Sequence, residues 1–529
     1  MRILETTLIP FSIVFMILAH CDGAKILFVT SFPVKSHWLL FQHIIGELIN
    51  RGHEITAITN YKLDVIVDKN RYREVLIHPT FEFKDDHMQS YFHSDSFQHP
   101  VYNIVVLRWL GLATTEHALH SDNVKQFLKQ NELKYDLIIA EQFVQEAFLM
   151  FGHKYNAPIV TINTLGYTDY IDGLFGMMTP LSFVPHHFVS MNDDMNYRER
   201  LYNFFLAAYD WSHRWFDYIS EQDALAREFF ADNKYDRAKL PSVQELELNI
   251  SVVLSNNHIV FTEPRPKMAG MVDIAGAHIR KPKKLPSSIK QFLNSSSDGV
   301  IYINFGTFLR STALPQITVE AFLRTFRNLP QYNFLWKWDG APISDLPENV
   351  HLDNWLPQND VLAHPKIKLF INHGGIFGAQ EAINWAKPML IVPIYGDQHR
   401  NAFKLQQAGV AITLAKDNIT SDSLLETILQ IVNNTSFQQN VNHLSGLFRD
   451  NPTDPLEEAV FWIEYVIRHR GAAHLKSAAI KVSWYQYLLL DVFVLIFLFI
   501  FACFYMLSWS IKQIIKANEH RKLMIKKNQ

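Results

Sequence analysis

A chain of 529 residues, 48% of them hydrophobic, can bury two full cores and still supply a membrane segment. Its formal charge of −3 gives no general attraction to nucleic acid. The only cysteines, Cys21 and Cys503, stand near the two ends, which excludes a disulfide within the body, and no cysteine pair or H-E-x-x-H run offers a zinc site.

In chain order, Arg2 precedes an apolar run at residues 8–19 and then Cys21-Asp22-Gly23. This predicts a secretory signal peptide over residues 1–23, and a first domain over 24–280. Residues 26–30 read as a buried strand, and Leu40, Ile44, Ile45 and Leu48 recur at helical spacing over 37–50. With a second strand at 55–59, this is one βαβ unit. His37 falls at the carboxyl end of its first strand, where a helix start favours the neutral imidazole, the form that acts as a base. Position alone suits a surface histidine capping the helix better. Residues 137–141 form another apolar strand, ending at Glu141; Asp136 opens it and so belongs to the far edge of the sheet.

Residues 167–239 are rich in Phe, Met, Tyr and Trp, which predicts core packing, with some of these side chains walling an apolar pocket. His186 and His187 are adjacent, and on an extended chain neighbours point apart. They are expected to be exposed loop histidines rather than a metal pair.

Lys281-Pro282-Lys283-Lys284-Leu285-Pro286 opens a stiff linker over residues 281–298. The second domain, 299–455, begins with a strand that runs into Gly306-Thr307, a turn whose N–H groups and hydroxyl suit a phosphate. Its centre is the stretch FINHGGIFGAQEAINWAKPMLIVPIYGDQ at 370–398, a strand, a glycine turn, a helix, a proline stop and a second strand. Gly374 and Gly375 allow a sharp turn and close ligand approach. The free N–H groups of the helix start, with His373 beside them, make an anion site suited to a diphosphate. Glu381 offers two acceptors for vicinal ribose hydroxyls. Asp397 and Gln398, past the carboxyl end of the second strand, can accept from and donate to sugar hydroxyls.

The spacing F-I-x-H-G-G-x2-G-x2-E-x6-P-M-L-x2-P-I-x2-D-Q resembles the signature of the UDP-glycosyltransferases, the family that contains the UDP-glucuronosyltransferases. The resemblance implies two doubly wound Rossmann-like α/β domains facing across a cleft, the GT-B fold. It implies inverting transfer of a hexose from a UDP-sugar to a hydroxyl of a small hydrophobic acceptor, with no metal or other cofactor; no D-x-D occurs to hold a divalent ion. By the same resemblance the loop F-P-x-x-S-H makes His37 the catalytic base and Glu141 the acid that holds it. Trp355-Leu-Pro-Gln358 matches the family's W-x-P-Q element, placing Trp355 on uracil and Gln358 at the ribose or base. Residues 456–483 would return onto the first domain. Three positions depart from the usual pattern: Asn372 for Ser or Thr, Phe377 for a polar residue, and Glu141 for Asp. The likeness is to arthropod members, which favours UDP-glucose as donor, with glucuronate possible. A non-catalytic carrier of lipophilic ligands or sugars using the same cleft is the alternative. A nicotinamide enzyme is disfavoured, because no G-x-G-x-x-G follows either first strand.

Residues 487–507 are apolar apart from Asp491 and long enough to cross a bilayer of about 30 Å, and with Trp484, Tyr485, Tyr487 and Trp509 as an aromatic belt they predict a transmembrane helix over 484–509. The tail at 510–529 carries six Lys or Arg against Glu519, which predicts a cytoplasmic tail. Lys526-Lys527-Asn528-Gln529 resembles a dilysine retrieval signal. A type I protein of the endoplasmic reticulum with a lumenal body follows, compatible with sequons at Asn249, Asn294, Asn418, Asn433 and Asn434. A homo-oligomer is compatible with this reading, but nothing in the sequence sets one.

Overall fold

The computed structural model describes residues 23–65, 67–83, 94–232, 236–308 and 310–527. The signal-peptide expectation, and Asn528-Gln529 of the dilysine expectation, lie outside them. Two all-parallel sheets organise the chain. The first holds β1 (Lys25–Val29), β2 (Glu54–Thr59), β3 (Tyr72–Leu76), β4 (Leu137–Glu141), β5 (Ile159–Asn163), β6 (Ile250–Ser255) and β7 (Met271–Asp273), in the order β3-β2-β1-β4-β5-β6-β7. The second holds β8 (Val300–Asn304), β9 (Asn333–Lys337), β10 (Val350–Asp353), β11 (Ile367–Asn372), β12 (Met389–Ile391) and β13 (Ala411–Thr413), in the order β10-β9-β8-β11-β12-β13. Every residue of β4, β5, β6 and β8 is buried. Their largely apolar runs follow from helices covering both faces of each sheet.

The helices that matter for function are α1 (Lys35–Asn50), α2 (Pro100–His120), α3 (Tyr197–His213), α4 (Ile376–Asn384), α5 (Gln398–Gln407), α6 (Pro455–Arg468) and α7 (Leu490–Lys527). Helix α6 crosses back to the first domain. Its Ala459, Val460, Ile463 and Val466 share a core with Ile26, Phe28, Trp38 and Phe41. Arg51 ties the same helices together through Glu457 and, at 3.4 Å, Glu464. Two other ties close the cleft. Phe97 is buried in the second domain's core, and the Gly396 N–H donates to Asn103 Oδ1 at 3.3 Å.

Two segments carry structure that the sequence reading did not include. The expected linker at 281–298 contains a helix, Ser287–Ser295, because Ile289 and Leu293, one turn apart, bury against Val300 and Tyr302. At the other end, Trp484–Tyr487 is a separate turn, and α7 runs unbroken through the basic tail to Lys527. No Gly or Pro interrupts residues 490–527, so nothing stops the helix at the end of its apolar part.

Candidate active site

Each sheet reverses its strand order once, and each reversal opens a crevice at the carboxyl ends of the strands. In the first sheet the reversal lies between β1 and β4, which deliver His37 and Glu141. In the second it lies between β8 and β11, which deliver Gly306 and His373. The two crevices face one another across a cavity of about 280 Å³.

His37 sits in the first turn of α1 with its ring turned inward. Its Nδ1 lies 2.6 Å from Glu141 Oε1. The other oxygen, Oε2, accepts from the Thr30 hydroxyl at 2.6 Å. An ionised carboxylate only accepts, so the imidazole proton is on Nδ1 and Nε2 is left as the basic nitrogen. Thr164 Oγ1 stands 3.4 Å from Nδ1. The ring is gripped edge-on by Phe143, with centroids 4.8 Å apart, and meets Phe377 of the second domain at 6.0 Å. Asp136, the competing acid, instead accepts from the Lys25 N–H at 2.7 Å, at the opposite end of the strands.

His373 is clamped between two glycines. A Cβ on Gly306 would lie 2.8 Å from its Cε1, and one on Gly375 would lie 2.5 Å from its Nε2. Burial pushes this imidazole down to about 4, so at neutral pH it is uncharged and carries one N–H donor. Gly374 has a different reason to be glycine. Its φ is +85°, and a Cβ there would strike Ile391 and the Gln398 carbonyl, so the turn packs against β12 and α5 rather than against a ligand. Asn372 fits this turn, its Oδ1 accepting from the Gly374 N–H at 2.7 Å.

A polar floor joins the halves of the second domain's site. Asn304 Nδ2 and the Tyr302 hydroxyl donate to Gln358 Oε1 at 2.7 and 3.2 Å, and Gln358 Nε2 donates to Glu381. Burial pushes the Glu381 carboxyl up to about 7 and that of Asp397 upward too. Asp397 accepts from Asn401 at 2.7 Å. Gln398 Oε1 accepts from the Ile394 and Tyr395 N–H groups at 2.9 and 3.1 Å. Its carbonyl is therefore spent on the loop, and the amide nitrogen is what remains to donate. Trp355 lies at the rim with Lys35 Nζ 4.0 Å from the ring centroid.

Of the residues singled out in the sequence, Gly306, Thr307, Trp355, Gln358, His373, Gly375, Glu381, Asp397, Gln398 and His37 all line the cavity. Glu141 and Gly374 stand behind it. The residues missed are Thr30, Tyr302, Asn304 and Lys337, whose Nζ donates to the Gly306 carbonyl at 3.2 Å. Asn304 and Lys337 each end a buried strand, the same signal that marked Glu141, and could have been found by it. Phe377 turns its ring toward His37 and, edge-on, toward His278 at 4.9 Å, so an aromatic contact between domains stands where the family pattern has a polar residue.

The first domain supplies the apolar wall: Phe32, Val106, Leu107, Leu110, Phe143 and Phe188. Of the aromatics at residues 167–239, Phe188 alone among the described residues lines it, and Trp211, Trp215 and Phe216 face outward. His186 and His187 are likewise not exposed. His186 is fully buried, with Nε2 3.0 Å from Asp210 Oδ2, because Asp210 and Arg108 form a buried pair that needs a further partner.

The family model described as "UDP-glucoronosyl and UDP-glucosyl transferase" matches residues 24–528. The chain belongs to that family. Among this transferase's relatives, UDP-glucosyltransferase 2 of Dactylopius coccus is 31% identical over 531 residues, covering 98% of this chain and 97% of the relative. UDP-glucuronosyltransferase 1A6 of Mus musculus is 29% identical, covering 92% and 90%. Among solved structures, a UDP-glucose: anthocyanidin 3-O-glucosyltransferase in complex with UDP superposes with a TM-score of 0.55 at 16% identity, over 85% of this chain and all of that one. That likeness shows the GT-B fold of this UDP-glycosyltransferase.

Proposed function

We propose that this UDP-glycosyltransferase moves glucose from UDP-glucose to a hydroxyl of a small lipophilic acceptor, with inversion at the anomeric carbon. The observation that carries the reading is that His37 Nε2 and the His373 clamp open on one cavity, one apolar-walled and the other polar-floored. His37 takes the acceptor's hydroxyl proton while Glu141 holds the imidazolium that forms. The acceptor oxygen bonds to the anomeric carbon as its bond to the diphosphate breaks, and the electron pair leaves with UDP. The His373 N–H, the Gly375 turn and Thr307 stabilise that leaving charge, so the step is written without a metal. Trp355 stacks on uracil, and Gln358 and Glu381 take the ribose. Glu141 keeps a carboxylate on His37, so its departure from the usual Asp is no argument for a non-catalytic carrier.

Glucose is preferred over glucuronate because Arg400, the cation beside Asp397 and Gln398, is committed to buried Glu263, which also holds Lys404. Arg400 and Lys404 share that one carboxylate, so a sugar carboxylate there would have to compete with Glu263 for the Arg400 guanidinium. Product mass spectrometry over a donor panel with a phenolic acceptor tests this. UDP-glucose is expected to give conjugate and UDP-glucuronate little; the reverse order would overturn the assignment of donor.

Glu381 gives a pH test of the nucleotide site. Ribose hydroxyls donate to a carboxylate, so binding favours the ionised form and releases a proton where the empty site holds one. UDP-glucose affinity, measured without acceptor, is expected to rise with pH up to about 7 and level off above it, by up to about tenfold per unit. In Glu381→Gln the slope is expected to vanish; a slope that persists would remove Glu381 from the ribose.

The body is placed in the lumen of the endoplasmic reticulum, with α7 as a type I anchor and its basic end in the cytoplasm. All five sequon asparagines are exposed, as glycan addition requires.

A further inference from the structure

Helix α3 buries polar side chains while leaving large aromatic ones exposed. A surface helix normally turns apolar residues to the core and polar ones to water. Here the inner face carries, beside Leu206 and Ala207, the polar Asn203, Asp210 and, in the turn that continues the helix, Arg214, all buried. Each is satisfied: Asn203 Nδ2 donates to the Leu181 and Val184 carbonyls at 2.9 Å, Asp210 takes Arg108 and His186, and Arg214 takes Glu146 and Glu247. The outer face repeats at helical spacing as Tyr197, Leu201, Phe204, Ala208, Trp211 and Trp215, all exposed. Phe205 and Phe216 flank the stripe with about 62% and 68% of their surface open. Trp109 of α2, beside Arg108, extends it. A patch of this kind on one face marks an interaction surface.

What covers it is indicated by the chain's own path to α7. The segment that leads into α7 docks on the first domain just before α3. Lys476 Nζ donates to the Leu174 carbonyl at 3.2 Å and lies 4.5 Å from the Phe175 ring centroid. Gly176 is so close to this segment that a Cβ would lie 2.7 Å from Ile480 N. Residues 181 and 184 of the same loop are the ones Asn203 holds, and Met178 and Phe183 of that loop are exposed. One loop, residues 174–184, thus fixes the aromatic stripe relative to the point where the chain meets the bilayer.

We propose that α3 lies in the headgroup interface of the membrane that α7 crosses, with its Trp, Tyr and Phe stripe inserted, so that the first domain is held down at two points. Trp and Tyr are the residues that settle at this depth. The inference rests on α7 being a membrane anchor, and the test separates the two.

The full chain, with Cys21→Ser and Cys503→Ser, would carry a single cysteine in place of Phe205, labelled with nitrobenzoxadiazole and reconstituted in phosphatidylcholine vesicles. Lipids bearing a quencher near the headgroup end of the acyl chain are expected to quench it severalfold more than a label at Ile317→Cys, which is exposed on the second domain. A label on native Cys503, within α7, is expected to be quenched by lipids labelled deep in the chain. If Cys503 is quenched and position 205 behaves like 317, the interfacial helix is wrong and the anchor stands. If neither is quenched, both fail. A label at 205 that ignores lipid quenchers but is shielded from iodide until the protein is diluted among vesicles would mean a second copy covers the stripe, which also overturns the proposal.

Discussion

Alanine at His37 is expected to lower kcat by roughly two to four decades while leaving UDP-glucose affinity unchanged, since the residue meets the acceptor and not the nucleotide. The geometry makes the expectation sharper than loss of a base alone. Glu141 has two partners, His37 Nδ1 and Thr30 Oγ1, each at 2.6 Å. Glu141→Gln can present its NH2 to Nδ1, which draws the ring toward the tautomer with its proton on Nε2, facing the acceptor. That variant is expected to fall by about two decades or more, although nothing in the cavity has been removed. Glu141→Asp keeps the carboxylate but is one methylene short of bridging both partners, so a smaller loss follows. Single-turnover transfer to a phenol, with donor binding measured separately, checks all three. Near wild-type turnover in His37→Ala would take His37 out of the reaction, whatever its distance from Glu141.

What could be read in the sequence is what a strand's end dictates. A buried parallel strand has no use for a polar residue at its carboxyl terminus unless something outside the sheet uses it. Glu141 and His373 were legible on that ground, whereas His37, by position alone a capping histidine, was legible only through the F-P-x-x-S-H resemblance, and the topology then brought them together. Illegible features depend on contacts between segments far apart in the chain. Gly374 reads as a ligand-approach glycine until Ile391 and Gln398 are seen behind it. Gln398 reads as donor and acceptor until two loop N–H groups claim its oxygen. The aromatics of α3 read as core, because sequence period gives the face but not the side on which the protein lies. In α3 the inner side mixes polar residues with Leu206 and Ala207, and only Glu146, Glu247, Arg108 and the carbonyls of Leu181 and Val184 explain why the polar ones are buried. The helix at Ser287–Ser295 was hidden by its flanking lysines and prolines, with only Ile289 and Leu293 to hold it.

The second large effect is expected at the diphosphate. His373→Ala removes one fixed N–H donor from the leaving group, and a loss of roughly 10²–10³ in kcat follows if that donor acts on developing charge, or about 3–4 kcal/mol of transition-state stabilisation. Alanine at either glycine of the clamp separates the donor's position from its presence. Gly306 has φ +93°, so Gly306→Ala strains the backbone as well as crowding the imidazole, and its loss would be ambiguous. Gly375 has φ −63°, a conformation any residue adopts, and its Cβ would stand 2.5 Å from His373 Nε2. Gly375→Ala therefore leaves the backbone at ease and must push the ring aside, since a packed site cannot absorb an overlap of that size. It is expected to reproduce most of the His373→Ala loss in kcat with little change in thermal stability. Full activity in Gly375→Ala would mean that the imidazole can swing away at no cost, and that the leaving diphosphate is held by the helix start and Thr307 instead.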